Sequence, residues 1–213
     1  MISVLVADDH SIFRRGIRSL IDGQNDIEIC AEAADGHEAL EQIEKQRPEI
    51  VLLDITMPRL GGLETLARIR AKHPSVKTIL MTVHAEPPLI QSAVSLGADG
   101  YILKNAPSSE LIAAIRAVMR GGNYYSPPVA REIVERLRKP QPASSEPFSL
   151  LSGREREVLH LIAEGLSAKE IAFDLHISTK TVEAHRTSLM RKLGVRKATE
   201  LVRYAVRHGL IEP

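Results

Sequence analysis

The chain of 213 residues contains no tryptophan, and its whole aromatic complement is three phenylalanines and four tyrosines. So sparse a set argues against the stacking platform with which proteins hold single-stranded nucleic acid. One cysteine, Cys30, excludes an intramolecular disulfide and a cysteine-based zinc site, and it reads as a small core residue in an apolar strand. The eight histidines are scattered, with no pair spaced to bind zinc from one helix. No apolar run exceeds the five residues Leu111–Ile115, far short of a membrane span. The first ten residues lack a basic segment and meet acid at Asp8, so no signal peptide is expected. With 44% hydrophobic and 26% charged residues the composition is that of a globular protein, not a disordered one. These absences lead to the expectation of a reduced, soluble, cytoplasmic protein without a membrane partner.

What is present is unevenly spread. The net charge of +1 divides into −3 over residues 1–130 and +4 over residues 131–213. Between Thr179 and Lys197 lie six cations (Lys180, Arg186, Arg191, Lys192, Arg196, Lys197) against one acid, Glu183. Such a stretch suits a polyanion, but a solvated helix face has the same composition. The segment Lys139–Ser149 holds three prolines and three serines and reads as a semi-stiff linker. Ahead of it, Pro127-Pro128 starts a helix with apolar residues at Val129, Ile133, Val134 and Leu137. The expected division is therefore 1–122, a first domain; 123–149, a linker helix and Pro/Ser-rich linker; and 150–213, a second domain.

The first domain alternates short apolar strands (Ile2–Ala7, Ile27–Ala33, Ile50–Leu53, Thr78–Met81, Tyr101–Leu103) with amphipathic helices near 11–23, 36–47, 62–73, 86–97 and 108–120. Strands apolar on both faces and separated by helices imply an α/β fold with a five-stranded, parallel, doubly wound sheet. Ligands of such sheets gather at the carboxyl ends of the strands. Those ends carry Asp8 and Asp9, Asp54, Thr82 and Lys104. Each alone reads as a solvated loop residue; five at successive strand ends form a pattern. Three carboxylates at one edge repel unless a cation joins them, and hard oxygen ligands without histidine or cysteine suit Mg²⁺. A lysine and a hydroxyl beside them suit phosphoryl oxygens, and an aspartate can itself be the phosphorylated nucleophile. His10 and His84 read as loop-facing polar residues.

Asp8-Asp9, Asp54 followed by Met57-Pro58 and Gly61-Gly62, Thr82, and Tyr101 through Lys104 resemble the receiver domain of two-component response regulators, over roughly residues 1–120. The resemblance implies a flavodoxin-like domain with Asp54 as phosphoacceptor and Mg²⁺ held by Asp9, Asp54 and the Thr56 carbonyl, with Asp8 assisting through water. It implies Lys104 as phosphate partner and Thr82 with Tyr101 as the switch pair, Tyr101 turning inward on phosphorylation. Pro58 reads as a turn former and Gly61-Gly62 as backbone freedom for the loop. A haloacid-dehalogenase-type phosphatase also uses an aspartyl phosphate, but needs a second aspartate where Thr56 stands.

The second domain reads as small and all helical. Ser152–Glu155 and Ser167–Glu170 fit the capping-box pattern, so helices start at each serine. A third helix follows Ser178 to about Leu193 with Val182, Leu189 and Leu193 inward, and a fourth spans about Ala198–His208, stopping at Gly209. A short helix, a tight turn and a longer basic helix make a helix-turn-helix. The stretches Leu151–Glu157, Gly165–Ala172 and Ser178–Arg186 resemble the LuxR-type DNA-binding domain, and the whole chain resembles the NarL/FixJ family of transcriptional regulators. The resemblance implies duplex promoter DNA and a sensor histidine kinase as partners, and a homodimer formed on phosphorylation. It places DNA contacts on Lys180, Thr181, Glu183, Ala184, His185, Arg186, Thr187 and Arg191. Of these Glu183, Ala184 and Thr187 fall at base-reading positions, and Lys180 and Arg186 on phosphates. Glu183 can accept from a cytosine amino group or pair with Lys180 or Arg186. The Leu201–Val206 stripe fits a dimer face or the interior equally. A receiver joined to an RNA- or protein-binding helical module is the remaining alternative, and the scarcity of aromatics argues against RNA.

Overall fold

A computed structural model of the chain describes residues 1–83, 86–138, 151–195 and 197–207. The chain divides into two compact units, Met1–Pro140 and Gln141–Pro213.

In the first unit, strands β1 (Ile2–Ala7), β2 (Ile27–Ala33), β3 (Ile50–Asp54), β4 (Lys77–Thr82), β5 (Gly100–Leu103) and β6 (Tyr124–Tyr125) form one sheet in the order β2-β1-β3-β4-β5-β6. Every pairing is parallel. Helices α1 (Ser11–Ile21), α2 (Gly36–Gln46), α3 (Gly62–Lys72), α4 (Pro87–Ser95) and α5 (Ser108–Met119) alternate with the strands, and α6 (Pro127–Arg138) follows β6. The central strand β3 is buried along its whole length, which is why its sequence shows no polar alternation before Asp54. Val4, Val6, Ile50, Leu52, Ile79, Met81 and Ile102 share one face of the sheet with Ile17 and Ile21 of α1 and Leu111, Ile115 and Val118 of α5. Residues alternate along a strand, so Leu5, Val51, Leu53 and Leu80 face the opposite way. On β1 and β2 lies α2, with α3 beside it.

Strand order reverses between β1 and β3, and the carboxyl ends of these two strands carry Asp8, Asp9 and Asp54. In a doubly wound sheet this crevice is where a ligand is held.

The sheet has six strands where the sequence pattern indicated five. The extra strand is two residues long, too short to show a period, and pairs Gly100 with Tyr124 and Tyr101 with Tyr125. Ser126 N–H donates to the Tyr101 carbonyl at 2.9 Å. Both β6 and α6, assigned by sequence to the connection, pack within the first unit, β6 on β5 and α6 on α4. Of the apolar positions in α6, Val129 is buried while Val134 and Leu137 are exposed. The linker proper, His84 and the stop at Gly209 lie outside the described residues.

The second unit contains α7 (Gly153–Ala163), α8 (Ala168–Asp174), α9 (Thr179–Leu193) and α10 (Ala198–Arg207). Both capping boxes form: Ser152 accepts from Glu155 N–H and Ser167 from Glu170 N–H, while each glutamate reaches back to the serine N–H. Val182, Leu189 and Leu193 of α9 are buried with Val158, Leu159, Ile171 and Ala172. The turn between α8 and α9 places His176 at φ 52. In α10, Leu201 and Ala205 are core residues, whereas Val202 and Val206 are half-buried, so the stripe is shared between interior and surface.

Candidate functional sites: an acidic crevice and a basic helix

Asp8 is fully buried at the end of β1 and Asp54 is 2% exposed at the end of β3. Between them, Lys104 Nζ lies 2.8 Å from Asp8 Oδ2 and 2.7 Å from Asp54 Oδ2. Lys104 is set there by its own N–H, which donates to the Thr82 carbonyl at 2.7 Å, and its ammonium lies 4.9 Å from the centre of the Phe13 ring. Asp8 Oδ1 accepts from the His10 N–H at 2.9 Å, and Asp54 Oδ1 from the Thr56 N–H at 3.4 Å. Asp9 is partly exposed and meets His10 Nδ1 at 2.7 Å.

Burial, with Asp8's like charge added, pushes the Asp54 carboxyl up to about 7 against the opposing pull of Lys104. Three carboxylates face one ammonium, so the crevice carries excess negative charge. Donor atoms of Asp8, Asp9, His10 and Asp54 all lie within 4.8 Å of one another, and the oxygen-rich set fits a hard divalent cation.

Thr82 and Tyr101 occupy adjacent strands. Tyr101 pairs with Leu80, two residues before Thr82, so both side chains belong to the same face of the sheet. Both are buried, Thr82 to 4% and Tyr101 to 0% exposure. Tyr101 is thus already inward in this structure, and its hydroxyl has no hydrogen-bond partner among the described residues.

Two supporting residues escaped the sequence reading. Arg14 donates to the Asp8 carbonyl at 2.6 Å and to Glu32 at 3.0 Å, fixing the end of β1. Phe13 backs Lys104. Both sit in α1 one turn beyond Asp9-His10, a helical offset from the acidic pair that could have drawn attention. The loop after Asp54 also differs from expectation. Backbone freedom is used at Arg59 (φ 63), which pairs with the α2 cap Asp35, and neither Gly61 nor Gly62 has positive φ. Gly62 is needed for closeness instead: a Cβ there would stand 2.0 Å from the Asp54 carbonyl oxygen.

On α9, Lys180, Thr181, Glu183, Ala184, Thr187 and Arg191 are exposed, and His185 and Arg186 are half-buried. Lys180, Glu183, Ala184, Thr187, Ser188 and Arg191 line one open concavity of about 480 Å³. Glu183 pairs with Arg186 at 3.5 Å, and Thr187 Oγ donates to the Glu183 carbonyl at 2.9 Å. Behind this face, Glu155 of α7 accepts from Ser188 Oγ at 2.7 Å and Lys192 Nζ at 2.6 Å. The sequence showed Glu155 only as half of a capping box. Arg154 binds Glu157 at 2.5 Å and the Leu175 carbonyl at 2.6 Å, tying the end of α8 to α7.

A doubly wound domain with a lysine-bridged acidic crevice, followed by a helix-turn-helix unit with a basic outer face, defines a signalling regulator that acts on nucleic acid. Residues 4–116 match the model of the response regulator receiver domain, and residues 149–205 that of the bacterial regulatory proteins of the luxR family. The chain belongs to the two-component response regulators of the NarL/FixJ family, a receiver joined to a LuxR-type DNA-binding domain. It is 39% identical over 214 residues to the oxygen regulatory protein NreC of Staphylococcus aureus, covering 98% of this chain and 99% of that one. Among solved structures it is similar to the RcsB response regulator of Salmonella typhimurium (28% identity, 95% and 96% of the two chains, TM-score 0.69). It is also similar to RcsB of Salmonella enterica serovar Typhimurium bound to promoter rprA in the presence of phosphomimetic BeF3- (27%, 96% and 98%, TM-score 0.66). The chain is a transcription regulator under phosphorylation control, and among the described residues no helix is long and apolar enough to cross a membrane.

Proposed function

We propose that Asp54 accepts a phosphoryl group from a phosphohistidine of a cognate sensor histidine kinase, and that phosphorylation promotes a homodimer binding two half-sites of duplex promoter DNA through α9. The observation that supports this most directly is the buried Asp54 carboxylate, held by Lys104 beside Asp8 and Asp9. An Asp54 oxygen attacks phosphorus, the phosphorus–nitrogen bond breaks, and the electron pair leaves on the imidazole. Asp9, Asp54 and the Thr56 carbonyl would hold Mg²⁺, with Asp8 assisting through water; the ion when bound offsets charge on the phosphoryl oxygens. Lys104 remains within reach of Asp54 to meet those oxygens, and the Thr82 hydroxyl supplies a further donor. Beyond this phosphoryl uptake and its hydrolysis, the protein catalyses no reaction of its own.

One recognition helix contacts few base pairs, so selectivity calls for two copies about one helical turn apart. Lys180, Thr181, His185, Arg186 and Arg191 serve the phosphate backbone, and Glu183, Ala184 and Thr187 the base edges. The expected result is Mg²⁺-dependent labelling by a small-molecule phosphodonor that is lost in Asp54→Asn, together with tighter binding of the phosphorylated form to a two-half-site duplex. Wild-type labelling of Asp54→Asn overturns the phosphoacceptor. Equal affinity of both forms, or full affinity for one half-site, overturns the gated dimer.

A further inference from the structure

The two hydroxyls in the concavity of α9 already have their protons engaged. Thr187 Oγ donates to the Glu183 carbonyl of its own helix at 2.9 Å, and Ser188 Oγ donates to Glu155 of α7 at 2.7 Å. A hydroxyl has a single proton to give, so neither residue is left as a donor to a base. With the Thr187 hydroxyl turned back onto the helix, its methyl group is the outward arm of an exposed side chain. Ala184, also exposed, stands one helical turn before it, and its side chain is only a methyl. Both line the same concavity, between Lys180 at one end and Arg191 at the other. Those cations are eleven residues apart, about 16 Å along the axis at about 1.5 Å per residue. That separation reaches both walls of a major groove about 12 Å wide and sets Ala184 and Thr187 over its floor. The carboxylate beside them, Glu183, pairs with Arg186 at 3.5 Å.

We propose that the methyl groups of Ala184 and Thr187 form a binding site for the 5-methyl group of a thymine, so that each half-site carries a T·A pair at that position. This rests on the reading of α9 as the helix that enters the major groove, and names the base it selects there. Thymine alone of the four bases presents a methyl group in that groove, whereas cytosine offers an amino donor at the same edge. An apolar floor covers the methyl without breaking a hydrogen bond, but leaves the amino group of a cytosine unpaired. Thr187 therefore reads with its methyl, and its hydroxyl serves the helix.

The test uses the full-length protein and the duplexes it enriches from a pool with a randomised central segment. The enriched half-sites are expected to share a thymine whose replacement by deoxyuridine, which removes only the methyl, lowers affinity about fourfold, the contribution of one buried methyl group. At the same position 5-methylcytosine should bind more tightly than cytosine by about the same factor. Thr187→Val keeps a methyl and discards the hydroxyl, and should retain the deoxyuridine penalty. Thr187→Ser keeps the hydroxyl and discards the methyl, and should cut the penalty below about twofold, the remainder resting on Ala184. A penalty lost in Thr187→Val but kept in Thr187→Ser assigns the reading to the hydroxyl and overturns the proposal. An equal penalty in the wild type and Thr187→Ser traces it to the duplex or to another residue, and also overturns it. If no duplex is enriched, the reading of α9 fails as well; enrichment without a deoxyuridine-sensitive thymine removes the methyl site alone.

Discussion

The Lys104 ammonium bridges Asp54 at 2.7 Å and Asp8 at 2.8 Å, so one cation ties the carboxyl ends of β1 and β3 together. On the proposed phosphorylation of Asp54, the phosphoryl group would compete for that ammonium. The group that ties the resting crevice together would then be the one that phosphorylation redirects, coupling the proposed chemistry to the strand ends.

Replacing Lys104 by methionine leaves the buried Asp8 and Asp54 facing each other without their shared cation. Breaking one side of a buried ion pair costs about 3–5 kcal/mol. Amide hydrogen exchange of β3 is expected to accelerate correspondingly in Lys104→Met, and saturating Mg²⁺ should restore part of the protection. Unchanged protection without the ion would mean that the crevice tolerates its excess charge.

The two units should answer acid in opposite directions. In the folded state Asp54 is raised, by burial and then by Asp8, from 3.8 to about 7, so the folded receiver holds a proton that the unfolded chain has released. Its stability therefore falls as pH rises from about 4 to 7. Glu155 is the reverse: burial would raise it, but the Lys192 ammonium, the Ser188 hydroxyl and the Ser152 N–H outweigh that and hold it at about 2. Its contribution is full above 4.5 and is lost as pH falls toward 2. Exchange measured separately on β3 and α9 across pH should show both slopes, with Asp54→Asn flattening only the first.

Much of this was legible because the elements are punctuated. Asp8, Asp54, Thr82 and Lys104 end apolar strands, and Ser152 and Ser167 announce helices three residues before their glutamates. What stayed hidden depends on contacts between distant residues. Nothing local marks Glu155 as a partner of Lys192, 37 positions away. The left-handed conformation at Arg59 is imposed by the loop and its bond to Asp35, not by a residue type that favours it. Strand β6 exists because β5 offers an edge. Two tyrosines alone do not carry it.

Tyr101 is buried, its hydroxyl has no partner among the described residues, and a buried polar group left without a partner costs about 1–3 kcal/mol. Tyr101→Phe is expected to slow exchange along β4 and β5 and to hold the ring inward whether or not Asp54 is phosphorylated. If phosphorylation still changes that exchange as in the wild type, the hydroxyl takes no part in the switch.

On DNA, Lys180 and Glu183 should separate backbone attraction from base reading. Lys180→Ala is expected to weaken binding to all duplexes and to reduce the salt slope by about one unit, as the loss of one phosphate contact requires. Glu183→Ala frees Arg186 from its 3.5 Å pair and should relax preference at one base step in each half-site. Binding titrations over a salt series and a set of single-base variants check both. A uniform loss from Glu183→Ala, with no change in preference, would place Glu183 in the Arg186 pair alone.

Glu155 should matter to DNA although it lies behind the reading face. It fixes α9 by two bonds, to Ser188 at 2.7 Å and Lys192 at 2.6 Å, while also capping α7. Glutamine keeps the shape and loses the charge, so the bond to Lys192 weakens and α9 is held less firmly. Hydrogen bonds to charged groups contribute about 1.5–3 kcal/mol, so specific affinity should fall by about tenfold or more in Glu155→Gln. Non-specific affinity should hold, because the exposed cations Lys180 and Arg191 are left in place to meet phosphates. The specificity ratio is therefore the readout; a collapse of the domain would lower both affinities together. A double-mutant cycle with Lys192→Met isolates the pair, since most of the Glu155→Gln effect should vanish once Lys192 is absent. Full additivity of the two substitutions would show that Glu155 acts through the α7 cap instead.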